Sequence, residues 1–102
     1  MLTLGGELDI AGIEQLLAAL EAVEQDRPAL VVVDLRNVTF LDSSGLRTLL
    51  TAHAAASREG RRLALVRPPG PVYRVFEIAL LDRRLDFVDD LEDVVPVSGG
   101  AA

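Results

Sequence analysis

The chain has 102 residues, half of them hydrophobic but only 4% aromatic, which suits one domain with an aliphatic core. Ten basic and sixteen acidic residues give a net charge of −6, which disfavours direct nucleic-acid binding. The absence of cysteine excludes disulfides, thiolate metal sites and cysteine nucleophiles. No apolar stretch approaches the ~18 residues of a membrane span and no signal-peptide pattern is seen, so a cytoplasmic location is expected.

The first predicted elements are a strand and an amphipathic helix. Residues 2–4 are apolar and precede Gly5-Gly6, which predicts a short strand ending in a bend. Asp9 is expected to cap a helix that ends before Pro28. Its apolar positions recur at helical spacing: they are Ile13, Leu16, Leu17, Leu20 and Val23.

A buried strand and a second helix are predicted next. Residues 29–35 read ALVVVDL, a pattern typical of a parallel strand with helices on both faces of the sheet. Residues 36–38 are predicted to be a connection. Residues 42–45, Asp-Ser-Ser-Gly, precede a helical apolar pattern that runs to about Glu59, with Gly60 as the C-cap.

The remaining elements complete an alternating order. Residues 63–66 predict a strand, 68–71 a loop, 72–80 a helix, 86–88 a strand and 89–95 a short helix. The alternation predicts a single α/β domain with a mostly parallel central sheet of about four strands and about four helices. The domain is expected over residues 1–97, with a flexible C-terminal tail at 98–102.

Motifs for catalysis are missing from the sequence. It contains neither a dinucleotide fingerprint nor a phosphate-binding loop, and it has no lysine. The single histidine, His53, is predicted to pack at the edge of the second helix rather than to act as a base. The acidic residues at 89–93 lack the spacing of a calcium loop and suit the first turn of a helix. No catalytic residue, cofactor or metal site is therefore predicted.

The segment from Phe40 to Leu46 carries the most information. Asp or Ser at a helix start caps free backbone N–H groups. From composition alone, a purely capping role is favoured over a phosphorylation switch. The alternative is a switch at an exposed Ser43, because phosphorylation adds roughly −1.5 to −2 charges, which a helix N-terminus tolerates.

Four segments in register resemble STAS domains, in particular the anti-sigma factor antagonists, over about residues 6–95. They are Gly6-Glu7-Leu8-Asp9, Val32-Val33-Asp34-Leu35, Val38-Thr39-Phe40-Leu41-Asp42-Ser43-Ser44-Gly45-Leu46, and Val72-Tyr73-Arg74-Val75-Phe76-Glu77-Ile78 with Leu81-Asp82. The resemblance implies a non-enzymatic STAS-like domain that regulates transcription in a stress response by partner switching.

In that cycle the unphosphorylated antagonist binds an anti-sigma factor that is also a serine kinase, and so releases a sigma factor. The kinase uses ATP to phosphorylate the serine after the aspartate, here Ser43, with Ser44 as the alternative acceptor, and a phosphatase reverses the step. The resemblance implies that Asp9, Asp42, Ser43, Ser44 and Gly45 contact the partner. Gly45 is expected either to allow close approach of the partner backbone or simply to start the helix.

Two departures from the family pattern are visible. The family usually carries a further strand before the Gly-Glu-Leu-Asp segment, and only five residues precede Gly6 here. This exposes a sheet edge and favours a homodimer by edge pairing. The turn after the third helix often contains Gly-Leu, whereas Leu80-Leu81 stands here without the glycine.

Two other functions are alternatives to that of an anti-sigma factor antagonist. A STAS subunit of a lipid-transport ABC complex would be a binding module without phosphorylation, and the intact Asp-Ser-Ser-Gly motif argues against it. A nucleotide-hydrolysing enzyme is the weakest alternative, because lysine and a phosphate-binding loop are both absent.

Overall fold

The computed structural model describes residues 1–93. The strands are β1 (Leu2–Leu8), β2 (Leu30–Leu41), β3 (Arg62–Val66) and β4 (Asp86–Val88), and the helices are α1 (Ile13–Glu24), α2 (Ser43–Arg58) and α3 (Gly70–Ile78). Two 3₁₀ turns cover Ile10–Gly12 and Leu91–Asp93. The predicted end of the domain at residue 97 and the predicted tail at 98–102 lie outside the described residues.

All four strands are parallel and lie in the order β1-β2-β3-β4, which confirms the α/β prediction. Right-handed connections between consecutive neighbours place every helix on the same face of the sheet. The core agrees, because Val33 and Leu35 of β2 share one cluster with Leu16 of α1, Leu49 of α2 and Phe76 of α3. The prediction of helices on both faces is therefore wrong for the described helices.

The alternate positions of β2 point away from this core, and one of them is a buried charge. Asp34 is only 4% exposed, and its carboxylate accepts two hydrogen bonds from Arg36 Nε and one from Arg36 Nη2. These hydrogen bonds lower the pKa of Asp34 below its ordinary value, although burial opposes the shift. The pair explains how a carboxylate is tolerated within an apolar strand.

The first two strands are longer than predicted. Gly5-Gly6 does not end β1, because Gly5 pairs with Asn37 and Gly6 with Val38 of β2. The same pairing keeps residues 36–38 in β2, so the predicted connection there is wrong. Gly6 has φ +70 and lies between two register shifts, which makes the edge strand irregular. Edge-to-edge dimerisation along β1 stays a prediction.

The ends of α2 and α3 follow the predicted chemistry with small shifts, but the prediction that Asp9 caps the first helix is wrong, because Asp9 caps the 3₁₀ turn and α1 begins after Gly12 without a side-chain cap. Gly60 follows α2 with φ +72, as expected of a glycine that ends a helix. The third helix begins at Gly70, inside the predicted loop, because Pro71 suits the first helical turn. Of the last predicted helix, only the 3₁₀ turn Leu91–Asp93 lies within the described part of the chain.

The end of the sheet where the strands begin is closed by ion pairs. Arg61, directly before β3, donates to Glu24 of α1 at 2.7 Å and to Glu59 after α2 at 2.9 Å. Glu59 also accepts from Arg27 at 2.8 Å. At this same end Leu80 follows α3 with φ +61 and a 77% exposed side chain. The missing family glycine is thus replaced by a leucine in a left-handed conformation.

Candidate functional site

The candidate site forms where β2 ends and α2 begins. Asp42 is extended, with φ −108 and ψ −175, and Ser43 is the first residue of the helix. One oxygen of the Asp42 carboxylate, Oδ1, accepts from the backbone N–H groups of Ser44 at 2.9 Å and Gly45 at 3.2 Å. Asp42 is therefore the N-cap of α2, and the capping prediction is confirmed.

The end of β1 meets the same site, because β1 and β2 are parallel neighbours. The Leu8 carbonyl accepts from the Asp42 N–H at 3.2 Å, and Asp42 Oδ2 accepts from the Ile10 N–H at 3.2 Å. Asp9 caps the adjoining 3₁₀ turn by accepting from the Gly12 N–H at 3.2 Å. Two carboxylates that are distant in sequence thus lie at one end of the sheet, with their oxygens turned to backbone donors.

Gly45 is buried, and its role is internal. A Cβ atom built on this residue would lie 2.7 Å from the Leu8 carbonyl oxygen and 2.6 Å from Leu41 Cδ1. A side chain here would push the first turn of α2 away from the ends of β1 and β2. Close packing within the domain gives Gly45 a structural reason, and the expectation that it makes room for a partner backbone stays a prediction.

The two serines differ in exposure. Ser43 is exposed at the helix start, and its hydroxyl makes no hydrogen bond to any residue between 1 and 93. Ser44 is half-buried, and its carbonyl accepts from the Thr48 hydroxyl at 2.9 Å. An incoming phosphoryl donor therefore has freer access to Ser43 than to Ser44.

Several carboxylates at this end of the domain are not compensated by ion pairs, and Arg47, four residues after Ser43 on α2, is an exposed cation beside them. No salt bridge within residues 1–93 involves Glu7, Asp9, Glu14 or Asp42. Residues 94–102 contain neither lysine nor arginine that would pair with them. This end of the domain therefore presents carboxylates without ion-pair partners, and any further negative charge added here meets like charges.

Two exposed apolar residues beside the site escaped the sequence analysis. Ile10, whose N–H bonds to Asp42, is 74% exposed, and Phe40, two residues before Asp42, is 48% exposed. Large apolar side chains rimmed by charged groups are typical of protein interfaces. Alternation along β2 gives no signal for Phe40, because Val38, of the same parity, and Leu41, of the opposite parity, are both buried.

Metal-binding and membrane-spanning features are not seen in the part of the chain that the structure covers. No group of three or more His, Cys, Asp or Glu side chains among residues 1–93 is placed to hold a metal ion. No helix formed by those residues is long and apolar enough to cross a lipid bilayer.

Comparison with known sequences identifies relatives of this chain. The family model described as Mlab, STAS domain, matches residues 1–93. The anti-sigma-B factor antagonist of Staphylococcus aureus is 31% identical over 74 residues, which cover 72% of this chain and 68% of the relative. The anti-sigma F factor antagonist of Paenibacillus polymyxa is 27% identical over 88 residues, covering 85% and 75% respectively.

Solved structures show the same fold. An anti-sigma factor antagonist from Mycobacterium paratuberculosis superposes with a TM-score of 0.80 at 30% identity, covering 89% of this chain and 77% of that one. Unphosphorylated SpoIIAA, an anti-sigma factor antagonist, superposes with a TM-score of 0.75 at 24% identity, covering 95% and 85%. On the match of its whole described length, this chain belongs to the STAS domain family.

Proposed function

We propose that this protein is an anti-sigma factor antagonist whose binding to an anti-sigma factor is switched by phosphorylation of Ser43. The observation that carries the proposal is an exposed hydroxyl at the first residue of a helix, directly after a capping aspartate. The relatives named anti-sigma factor antagonists support the choice of partner. The protein is not an enzyme in this proposal, and it acts in the cytoplasm, where its kinase finds ATP.

The proposed partner is an anti-sigma factor with serine-kinase activity. Its surface is expected to pack closely on the uncharged Ser43 hydroxyl, so that a charge added there is desolvated beside the carboxylate of Asp42. Ile10, whose N–H bonds to Asp42, and Phe40, two residues before Asp42, supply exposed apolar area at this end of the sheet. In the reaction the Ser43 oxygen attacks the γ-phosphorus of ATP, ADP leaves, and the hydroxyl proton passes to a base of the kinase.

The product changes the surface while the fold can stay intact. A phosphate on Ser43 adds roughly −1.5 to −2 charges at neutral pH. The N-terminus of α2 stabilises that charge through its dipole. Because Asp9 and Asp42 already lie at this end, the added charge raises repulsion toward any acidic group of the partner and alters every contact made around the hydroxyl. Removal of the phosphate by a phosphatase restores the binding surface.

The test begins with a pairwise binding screen against the serine-kinase anti-sigma factors encoded in the same genome. The kinase that binds is then incubated with the protein and ATP, and one phosphate is expected on Ser43 by mass spectrometry. Ser43→Ala should bind and resist modification. Ser43→Asp should bind at least about tenfold more weakly, because the new carboxylate is desolvated beside the like charge of Asp42 when the partner covers it.

Ser44→Ala is the matched control for the acceptor and should still take one phosphate on Ser43. Equal affinity of Ser43→Asp and wild type for the kinase would remove electrostatic switching as the mechanism. If the protein instead binds a transporter ATPase, and Ser43→Asp leaves that binding unchanged, the lipid-transport alternative replaces the proposal.

A further inference from the structure

A shallow apolar groove lies between α1 and α2, on the face of the helices that points away from the sheet. It has a volume of about 330 Å³ and contains Leu17, Leu20, Thr51 and Ala55 among its lining residues. Leu17 remains 44% exposed, since the neighbouring positions of α2 carry the small side chains of Thr51 and Ala55. The groove therefore offers apolar surface that this part of the chain leaves uncovered.

The groove is continuous with the surface around Ser43. Ser43, Arg47, Thr51 and Ala55 follow one another at intervals of four along α2, so they form one row on that helix. Ser43, Arg47 and Thr51 are exposed, and the last three members of the row line the groove. A partner that touches the phosphorylation site can therefore extend along the row without crossing another element.

The length of the groove matches that of a short helix. From Arg47 to Ala55 the groove follows α2 over eight residues, which is roughly 12 Å at a rise of about 1.5 Å per residue. Two turns of a partner helix have nearly this length and present two or three apolar side chains on one face.

Charges at the two ends of the groove define the chemistry of that helix. Arg47, at the Ser43 end, makes no salt bridge within residues 1–93, and Glu21 at the far end makes none either. The other acidic residue of the groove, Glu24, is already paired with Arg61. The complementary segment carries an acidic residue beside Arg47 and a basic residue beside Glu21.

We infer that the anti-sigma factor that recognises Ser43 also lays a two-turn amphipathic helix into the α1–α2 groove. This inference rests on the proposed function and adds a second contact to it. The groove contact supplies affinity that does not depend on the charge at position 43. Phosphorylation of Ser43 therefore weakens the complex at one contact. Occupation of the groove strengthens the same complex at another.

The test compares two alanines on the outer side of α2. Ala55 lines the groove, whereas the neighbouring Ala54 is exposed and does not line it. Affinity for the kinase found in the binding screen is measured by titration calorimetry for Ala55→Gln, Ala54→Gln and wild type. Ala55→Gln should lose about tenfold in affinity, as expected when a well-packed interface position is disturbed, and Ala54→Gln should stay within about twofold.

Leu17→Ala is a second groove variant that removes apolar surface without adding bulk, and it should also weaken binding. Circular dichroism of each variant confirms that it is folded. If wild type binds and Ser43→Asp does not, but Ala55→Gln and Leu17→Ala both bind like wild type, the groove inference is overturned and the proposed function stands. If wild type binds no anti-sigma factor, the proposed function itself fails.

Discussion

The two ends of the sheet are closed by different kinds of interaction. Where β1 and β2 end, the Asp42 carboxylate is used on backbone N–H groups, and a buried glycine lets α2 pack closely. Where the strands begin, arginine side chains pair with Glu24 and Glu59, and a leucine occupies a conformation that suits glycine. At the first end the packing leaves no room for a side chain at Gly45. At the second end a leucine is accommodated at a position that suits glycine.

The difference also determines what a partner meets at each end. The carboxylates of Asp9 and Asp42 accept from backbone N–H groups and form no salt bridge within residues 1–93. At the opposite end the carboxylates of Glu24 and Glu59 are neutralised by Arg61 and Arg27. A phosphate on Ser43 would therefore add to the negative electrostatic potential of the nearby carboxylates. In the proposed switch, partner binding then changes without a rearrangement of the domain.

The largest expected effect is at Gly45. Gly45→Ala places a Cβ against the Leu8 carbonyl and Leu41, so it should lower the free energy of unfolding by about 3 kcal/mol. Urea unfolding measures the loss. Gly70→Ala is the matched control, because a Cβ built there meets no atom within 4 Å. Equal losses in the two variants would show that close packing does not distinguish the Ser43 end.

Removal of the cap should have the next largest effect. Asp42→Ala leaves the N–H groups of Ile10, Ser44 and Gly45 without their acceptor and should lower stability by about 1 to 2 kcal/mol. Thermal unfolding followed by circular dichroism provides the measurement. Asp26→Ala changes an exposed aspartate without a hydrogen bond or salt bridge among residues 1–93, and it should change little. A loss as large in Asp26→Ala would contradict the capping role.

A gain in stability is expected at the opposite end. Leu80→Gly relieves a left-handed conformation at φ +61 and removes an exposed apolar side chain, so it should stabilise the protein by about 1 kcal/mol. Ala79→Gly is the control: Ala79 has φ −80, so this change relieves no left-handed conformation and should lower stability. Both are compared by urea midpoint. A loss in Leu80→Gly would show that the leucine makes a contact that outweighs its strain.

The smallest effect, and the one that depends on pH, is expected at Glu59. Hydrogen bonds from Arg61 and then Arg27 lower the pKa of Glu59 below its ordinary value of 4.5. A carboxyl group with a lowered pKa stabilises the fold above pH 4.5, and that contribution disappears as pH falls through the folded pKa. Glu59→Gln should therefore have a slightly lower urea midpoint than wild type at pH 7.

The gap between Glu59→Gln and wild type should close as the pH is lowered well below 4.5, because both side chains are then neutral. Glu77→Gln serves as the control, since Glu77 makes no salt bridge within residues 1–93. A gap that stays constant with pH would mean that Glu59 acts through packing rather than through its charge.

The order of strands and helices and the cap at Asp42 were predictable, because they depend on local patterns. Apolar spacing located α1 and α2, and Gly60 marked the end of a helix. The extent of β1 and β2 was not predictable, because the pairing of Gly5 with Asn37 overrides the weak strand preference of both residues.

The residues of the site were predictable from the sequence, but their arrangement in space was not. That Asp42 would bond to the Ile10 N–H requires β1 and β2 to be neighbours, which no local pattern states. The internal role of Gly45 depends on the position of the Leu8 carbonyl, 37 residues earlier in the chain. The sequence analysis makes no statement about the exposure of Ile10 and Phe40, and only the structure shows that they face outward.

The consecutive strand order has a consequence for how the domain is made on the ribosome. Each strand pairs with the strand translated just before it, so every pairing closes only a short stretch of chain. The backbone and carboxylate groups that hold Ser43 in place belong to β1, the turn Ile10–Gly12, β2 and α2, which are complete at Arg58. The surface around Ser43 is thus specified by residues up to Arg58, and the later strands widen the sheet beside it.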